Sequence, residues 1–346
     1  MVSIAIVVPS WRYWTDPLKF QPLAELHYAT LILERCADVT VSVIDLRRAA
    51  GDPPTRINTA CDAYLYWVCK SADALEIHHH VAHLRLRFPE AKHLAGGTHV
   101  EHMADRSAEI FDAIFQGSGE LALLKAVEDL RNGRLQNRYV TSTPCHFRDF
   151  SHPRRDFIPT ERIVNQEHFK MYGGVAGTGA YFSRGCGFKC RFCVYNNPPN
   201  FEYRDGNQIT DEIEYLKRDY GIKGVNLRDE VCIPINRRHA VTYLEAIGKC
   251  GVIWKGQSVP FGSEDMVVLA AEAGLQEVAL GIESVDSDQV LEISNKPSKS
   301  IDNNRRYIEL LQKHGIKVKV CLIFGLPGES SRVVDRTIQF LENVAP

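Results

Sequence analysis

Short apolar runs alternate with helix-like segments along almost the whole chain. The first run, residues 3–8, is nearly all apolar, and residues 21–36 then carry apolar side chains at helical spacing. Parallel strands need long crossover connections, which are usually helices, so this alternation predicts parallel sheets. The length of 346 residues is too great for one ordinary domain and suits two.

The first part of the chain predicts a doubly wound, Rossmann-like α/β domain. Strands are expected at residues 3–8, 40–45, 62–69, 92–95 and 113–115, with helices at residues 21–36, 72–88 and up to about residue 130. Residues 131–172 mix prolines and charges with few periodic apolar residues, which is typical of an extended linker. We therefore expect a first domain at residues 1–135 and a linker at residues 136–178.

The remaining residues, 179–346, predict a second series of strand–helix units. Strands are expected at residues 180–182, 224–227, 252–255, 277–280 and 317–323, each of the first four followed by a helical segment and the last by residues 331–342. Such a series predicts a partial βα barrel, in which functional residues gather at the carboxyl ends of the strands. Five strands are expected in this series.

Three cysteines follow the first strand of this second series. Cys186, Cys190 and Cys193 have the spacing C-x-x-x-C-x-x-C, which lets three thiolates converge on one metal centre. Structural zinc sites and most iron–sulfur clusters take four protein ligands, so three cysteines suggest a centre with one open position. The alternative is a structural zinc site with a distant fourth ligand, for example Cys145, His146 or Cys232.

The cysteine motif resembles the signature of radical S-adenosylmethionine (SAM) enzymes. Ala180-Tyr181-Phe182 leads into the loop, and the aromatic Phe192 precedes the third cysteine. The resemblance implies that the three thiolates hold a 4Fe–4S cluster and that SAM chelates its open iron. It also implies that one electron cleaves SAM to a 5′-deoxyadenosyl radical, so a low-potential donor such as flavodoxin or ferredoxin is an expected partner.

The same resemblance implies a sixth strand, which is missing from the sequence, so we expect either a truncated chain or an abbreviated barrel. It also implies a SAM site built from strand ends. Asp229-Glu230 would bind the amino group of SAM, with Glu230 preferred, although Asp229 could instead cap the next helix. The resemblance places Glu283 and Ser284 at the ribose, and Ile323, Gly325 and Phe192 at the adenine.

The first domain resembles the cobalamin-binding domain that precedes many radical SAM barrels. The matching positions are Gly96, Gly97, Gly117, Ser118, Gly119, Glu120 and Ser71. Glycines let the backbone approach a large planar ligand, but they also make ordinary tight turns after strands. The motif D-x-H-x-x-G, which supplies a lower axial histidine in methionine-synthase-type proteins, does not occur in the sequence.

These features favour a cobalamin-dependent radical SAM methyltransferase acting on a small molecule or peptide. The alternatives are a cobalamin-independent radical SAM cyclase, oxidoreductase or rearrangement enzyme, and a binding module stapled by zinc. The net charge of −2 gives no global basic field for nucleic acid or anionic lipid, and no apolar run approaches the length of a membrane span. The other cysteines predict reduced thiols and a cytoplasmic location.

Overall fold

A computed structural model describes residues 1–47, 57–117, 119–141, 145–193 and 202–345. The chain divides into two compact units, Met1–Asn165 and Gln166–Pro346. Within the described ranges, no helix combines the length and the apolar composition that crossing a membrane requires.

The first unit is built on a six-stranded parallel sheet with the strand order β2-β1-β3-β4-β5-β6. The strands are β1 (Val2–Val8), β2 (Val39–Asp45), β3 (Ala63–Trp67), β4 (Lys92–Gly96), β5 (Ala113–Gly117) and β6 (Arg138–Thr141). The helices are α1 (Leu23–Arg35), α2 (Ser71–Arg87), α3 (Thr98–His102), α4 (Ala104–Ile110) and α5 (Gly119–Arg131). Every strand pair in this sheet is parallel.

Each face of this sheet is covered by its own apolar core, because successive side chains of a strand point to opposite faces. Ile4 and Ile6 pack on one side with residues of α1 and α5. Ala5 and Val7 pack on the other side with residues of α2. The unit therefore has helices on both faces, and the predicted doubly wound fold is confirmed.

The first unit extends beyond the predicted domain boundary. The segment expected as a linker, residues 136–178, begins with β6, which pairs in parallel with β5. Residues up to Asn165 belong to the first compact unit, and Gly177 already lies in the first strand of the second. The four-residue strand β6 escaped prediction because only Tyr139 is buried in it.

The second unit contains a five-stranded parallel sheet with the order β13-β12-β11-β10-β7 and a short antiparallel pair, β8 and β9. The strands are β7 (Gly177–Ala180), β8 (Ser183–Arg184), β9 (Glu202–Tyr203), β10 (Gly224–Leu227), β11 (Ile253–Ser258), β12 (Leu275–Glu283) and β13 (Lys317–Leu322). The helices are α6 (Gly206–Tyr220), α7 (Arg237–Lys249), α8 (Glu264–Glu272), α9 (Asp288–Ile293), α10 (Ile301–Lys313) and α11 (Val333–Val344).

The main sheet of the second unit is a simple succession of parallel strands, so their carboxyl ends lie along one edge. Among the described strands, β7 and β13 stand at opposite ends of the order and do not pair, so the sheet stays open. The partial barrel predicted from the sequence is confirmed in this form.

Helix ends in the second unit follow capping chemistry visible in the sequence. Asp205 and Gln208 form a capping box at the start of α6, and Gly221 ends that helix in the left-handed conformation. Ser300 caps α10 by accepting from the Asn303 N–H. These caps fix where α6 begins and ends and where α10 begins.

Candidate active site

The cysteine loop leaves the carboxyl end of β7 and is tied to the segment that follows α9. The Arg191 N–H donates to the Ser294 carbonyl at 3.0 Å, and the Asn295 side-chain amide donates to the Lys189 carbonyl at 2.8 Å. Gly185, immediately before Cys186, has a φ of 86°, a conformation that favours glycine. The loop is therefore held at the strand-end edge by its own backbone contacts.

The three cysteines lie close enough together for their charges to interact. Cys190 is buried, and Cys186 and Cys193 are half-buried. Burial raises the pKa of the Cys190 thiol; Lys296 opposes that shift, and Cys186 and Cys193 add to it. Burial also raises the pKa of Cys186, opposed by a hydrogen bond to the Phe188 backbone.

In the residues that the structure describes, no group of three or more His, Cys, Asp or Glu side chains is arranged as a ready metal site. The chemistry of the donor set nevertheless fits an iron–sulfur cluster. Cys186, Cys190 and Cys193 sit on one loop, and Lys296 favours the thiolate forms of Cys186 and Cys190.

Asp229 is fully buried and anchors the start of the cysteine loop. Its carboxylate accepts hydrogen bonds from the Phe182 N–H at 2.8 Å, from the Ser183 hydroxyl at 2.6 Å and from the Tyr243 hydroxyl at 2.6 Å. Burial raises the pKa of Asp229 to about 6, and these hydrogen bonds oppose the rise. Because it accepts from these three donors, Asp229 holds the start of the cysteine loop in place. The sequence did not reveal this structural role.

The helix after β10 does not use Asp229 as its cap. Asn236 caps α7 instead, since its side chain accepts from the Arg238 and His239 N–H groups. The other acid, Glu230, is half-buried, and its charge raises the pKa of Cys186. Glu230 therefore lies close enough to Cys186 for its charge to act on that cysteine, whereas Asp229 contacts the start of the loop.

Glu283 lies at the end of β12 in an unusual conformation and a buried ion pair. Its φ of 66° falls in the left-handed region, where few non-glycine residues are found. Its carboxylate lies 3.0 Å from the Lys296 ammonium, and the two side chains are 13% and 3% exposed. The Lys296 ammonium also lies over the Phe192 ring, 5.7 Å from its centroid.

Lys296 is a site residue that sequence reasoning missed. It follows α9 and belongs to none of the motifs considered above. The one available signal was a lysine in a strand–helix connection, and such lysines are usually solvated. In the structure Lys296 joins Glu283, Phe192 and the cysteine loop.

Hydrogen bonds connect the segment expected at the ribose with the segment expected at the adenine. The Ser284 hydroxyl donates to Glu329 at 2.7 Å, and the Gly325 N–H donates to the same carboxylate at 2.7 Å. The Ile323 N–H donates to the Glu283 carbonyl at 2.7 Å. Glu329 thus orders the loop after β13, and Ser284 is buried against it.

Two other polar residues in the second unit have local structural contacts. Lys255 lies within β11, 3.6 Å from Glu277 and 5.6 Å from the centroid of the Phe169 ring. Arg204 is buried, and its N–H donates to the Phe182 carbonyl at 2.8 Å.

In the first unit, the glycines expected at cobalamin lie at the carboxyl ends of β4 and β5. There they allow other parts of the chain to pack directly against their backbone. Gly97 has a φ of 106°, and a β-carbon there would lie 2.6 Å from the Val68 carbonyl oxygen. Gly117 has a φ of 81° and approaches the Thr141 carbonyl in the same way. Added β-carbons at Gly96 and Gly119 would meet Trp67 and Tyr28.

The polar residues expected at cobalamin have partners within the first unit. Ser71 begins α2, and its hydroxyl lies 2.9 Å from His99 Nδ1. Glu120 is buried, with His27 Nε2 at 3.3 Å and the Cys145 thiol at 3.9 Å. Ser118 lies outside the described residues.

The strand order of the first sheet reverses direction at β1 and β3, where ligands of doubly wound sheets bind. An aromatic cluster that sequence reasoning passed over follows β1. The Lys70 ammonium lies 4.9 Å from the centroid of the Trp14 ring and 5.5 Å from that of Tyr13. The signal was available, since two tryptophans and a tyrosine follow the first strand within six residues of its end.

Comparison with known proteins relates this geometry to a family. Residues 180–341 match the Radical SAM superfamily. This segment contains the cysteine loop and every residue expected at SAM. The bacteriochlorophyllide d C-12(1)-methyltransferase of Chlorobaculum tepidum is 26% identical over 256 residues, covering 72% of this chain and 54% of that protein. The anaerobic magnesium-protoporphyrin IX monomethyl ester cyclase of Rubrivivax gelatinosus is 27% identical over 285 residues, covering 75% and 50%.

The chain thus spans about half the length of these two curated relatives. Among solved structures it is similar to the radical SAM methyltransferase TsrM from Kitasatospora setae, determined with cobalamin and a 4Fe-4S cluster bound. That match has a TM-score of 0.76 and 17% identity and covers 99% of this chain and 70% of TsrM, so both units share its fold. Residues 180–341 thus match the Radical SAM superfamily, and this match relates the second unit of the chain to that family.

Proposed function

We propose that this chain is a cobalamin-dependent radical SAM methyltransferase. The observation that carries the proposal is the cysteine loop, which is tied to the strand-end edge with Glu230, Glu283 and Lys296 around it. When bound, the cluster supplies the electron that cleaves SAM, and cobalamin carries the methyl group.

The second unit supplies the cluster and SAM contacts in this proposal. Cys186, Cys190 and Cys193 hold the cluster. Glu230, beside the loop, accepts hydrogen bonds from the SAM amino group. Asp229 holds the start of the loop in place through its hydrogen bonds. Such charge-assisted contacts are among the stronger hydrogen bonds.

The remaining SAM contacts come from the ends of the last two strands and from the loop. Glu283, oriented by Lys296, and Ser284 bind the ribose. The backbone at Ile323 and Gly325 contacts the adenine edge, and Phe192 packs on the ring. The ordering of the 323–329 segment by Glu329 supports this assignment, because a pre-formed loop costs less to immobilise on binding.

In this proposal, the first unit supplies the cobalamin site at the carboxyl ends of its strands. Ser71, Gly96, Gly97, Gly117, Gly119 and Glu120 are the residues assigned to it. Two observations support the assignment: these residues follow neighbouring strands at one edge, and the chain shares the fold of TsrM.

Two partners follow from the proposed chemistry. One is a small-molecule or peptide substrate that receives the methyl group. The other is a low-potential electron donor such as flavodoxin or ferredoxin. Iron–sulfur potentials span roughly −700 to +450 mV, and reducing a sulfonium requires the low end of that range.

The test of the radical SAM assignment compares wild type with a Cys186→Ala/Cys190→Ala/Cys193→Ala variant. Protein purified anaerobically should hold about four irons per chain and form 5′-deoxyadenosine from SAM when a strong reductant is added. The variant should lose both. Tightly bound zinc without iron in the wild type would instead identify the zinc-stapled binding module.

A second candidate is a radical SAM reaction without cobalamin, such as cyclisation, oxidation or rearrangement. One observation favours it: the glycines of the first unit are already required by contacts with Val68, Thr141 and Trp67. They therefore need no cofactor to explain them. Cobalamin that co-purifies with the protein, scored by its visible spectrum, separates the two candidates.

A further inference from the structure

A cavity of about 640 Å³ lies beside the carboxyl edge of the second unit's main sheet. It is formed by the loops after β10, β11 and α9 together with one side of α10. Its apolar wall contains Ile233, Pro234, Pro260, Phe261, Met266 and Leu310. The volume falls in the range of roughly 300–1,000 Å³ that is typical of small-molecule sites.

Two buried hydroxyl groups line this cavity and have no hydrogen-bond partner among the described residues. Tyr307 is 5% exposed and Ser298 is 8% exposed, and the oxygen atom of each is itself buried. A buried polar group almost always has a partner, so such a group calls for an explanation. Two of them in one cavity indicate a ligand with a polar group.

The hydroxyl of Tyr307 is held at a defined place in the wall. A β-carbon built on Gly262 would lie 3.2 Å from that oxygen, so the tyrosine lies close over the loop after β11. Asn304, one turn earlier on α10, is also buried, and neither its side-chain oxygen nor its nitrogen has a partner among the described residues. This side of α10 therefore carries more hydrogen-bonding capacity than the protein itself uses.

The charge around the cavity favours an anion. Three cationic residues line it, Arg237, Lys299 and Arg306. Arg237 pairs with Asp265 at 3.0 Å and Lys299 pairs with Glu292 at 3.4 Å. Arg306 has no ion pair in the part of the chain that the structure describes.

Helix dipoles add to this field. The first turns of α7, α8 and α10 all contribute lining residues, namely Arg237, Met266 and Asn303. Helix N-termini carry partial positive charge, which stabilises a nearby anion. Glu264 and Asp265, in the first turn of α8, offset part of this positive charge. Arg306 is the lining cation whose charge no ion pair among the described residues offsets.

We propose that this cavity binds an amphipathic anion: an apolar, preferably aromatic body with a carboxylate, sulfonate or phosphate group. The body packs against the apolar wall, the acidic group pairs with Arg306, and the hydroxyls of Tyr307 and Ser298 donate to it. None of the residues assigned to the cluster or to SAM lines the cavity. The site therefore stands independently of the reaction proposed above.

The test uses two fluorescent probes that differ in charge, 8-anilino-1-naphthalenesulfonate and its uncharged parent N-phenyl-1-naphthylamine. Each is titrated into the full chain without SAM or reductant, so the outcome does not depend on catalysis. The sulfonate should bind at one site, and Arg306→Gln should weaken it roughly tenfold because a charge-assisted contact is lost. The same variant should leave the affinity of the uncharged probe unchanged.

Two further variants keep the test independent of folding. Tyr307→Phe removes only the hydroxyl, so it should weaken sulfonate binding several-fold while preserving the thermal unfolding midpoint. Arg305→Gln is the matched control, because Arg305 is the neighbouring cation on α10 and pairs with Asp302 and Glu309 outside the cavity. It should bind both probes like wild type.

Sulfonate affinity that is unchanged in both Arg306→Gln and Tyr307→Phe would overturn the proposal. An equal loss for the uncharged probe in Arg306→Gln would also overturn it, since the site would then lack selectivity for an anion.

Discussion

The Lys296 ammonium lies 3.0 Å from the Glu283 carboxylate, and Glu283 holds a left-handed backbone conformation at the end of its strand. Lys296 also lies over the ring of Phe192, the residue before the third cysteine. This ion pair thus connects the strand end assigned to the SAM ribose with the loop assigned to the cluster. A strained residue held by surrounding contacts is typical of a functional site.

Removing one member of this pair should cost more stability than removing both. Lys296→Met leaves the Glu283 carboxylate buried without its partner, which we expect to cost about 3–5 kcal/mol. The double variant Lys296→Met/Glu283→Gln should recover much of that loss. Hydrogen exchange of peptides from β12 reports the opening free energy of this unit. Equal protection in the single variant and wild type would contradict the inferred pairing.

The two adjacent acids should fail in different ways. Glu230→Gln should weaken SAM binding by roughly tenfold or more, because a charged partner of the amino group is lost, while iron content and thermal midpoint stay unchanged. Asp229→Asn should lower stability by about 1–3 kcal/mol, because an amide cannot accept from all three donors around it. Calorimetric titration with SAM and thermal unfolding separate the roles. A SAM affinity unaffected by Glu230→Gln would remove that residue from the site.

Stability should depend on pH through Asp229. Burial raises the pKa of Asp229 from the ordinary value of 3.8 to about 6 in the folded protein. The folded state therefore holds this proton more tightly than the unfolded state does. The resulting stabilisation is complete below pH 3.8 and is lost as the pH rises through about 6.

The measurement is the unfolding free energy of wild type relative to Asp229→Asn, in a background with the three loop cysteines replaced by alanine so that no cluster dissociates. The advantage of wild type should shrink as the pH rises through about 6, because the amide side chain of the variant does not titrate. An advantage that grows over this range would show that the folded-state pKa is lowered instead.

Glycine substitutions in the first unit should distinguish a glycine that a close backbone contact requires from one that only its turn conformation requires. Gly97→Ala combines a left-handed φ with a β-carbon 2.6 Å from the Val68 carbonyl oxygen, so we expect a loss above the roughly 1–2 kcal/mol of the backbone conformation alone. Gly133→Ala is the matched control, since Gly133 also has a positive φ but no atom within 4 Å of an added β-carbon. Equal losses in urea unfolding would rule out the contact with Val68.

The sequence predicted the architecture well because hydrophobic periodicity determines it. The runs that became β1 and β10 are buried along most of their length, and such runs can be recognised without tertiary information. β6 and the pair β8–β9 escaped because they are two to four residues long and mostly not buried. Their pairing depends on neighbours that are distant in sequence.

Those parts of the candidate site that carry a short sequence motif could be predicted, whereas those made by tertiary contacts could not. The cysteine triplet is a short motif, and the acids at strand ends follow from the βα pattern. Lys296 and Tyr243 could not be found this way, because they reach Glu283 and Asp229 only through tertiary packing. The structural role of Asp229 was hidden for the same reason, since its donors come from the adjacent residues Phe182 and Ser183 and from Tyr243 on α7, all distant from it in sequence or in another element.

The most direct test of the proposed function is the product balance of SAM. Anaerobic protein is supplied with SAM, hydroxocobalamin, a low-potential reductant and a panel of small-molecule and peptide substrates. A cobalamin-dependent methyltransferase uses one SAM to provide the methyl group and a second to generate the radical. We predict that S-adenosylhomocysteine and 5′-deoxyadenosine form in about equal amounts alongside a methylated product. Formation of 5′-deoxyadenosine without S-adenosylhomocysteine, in protein that binds no cobalamin, would contradict the account.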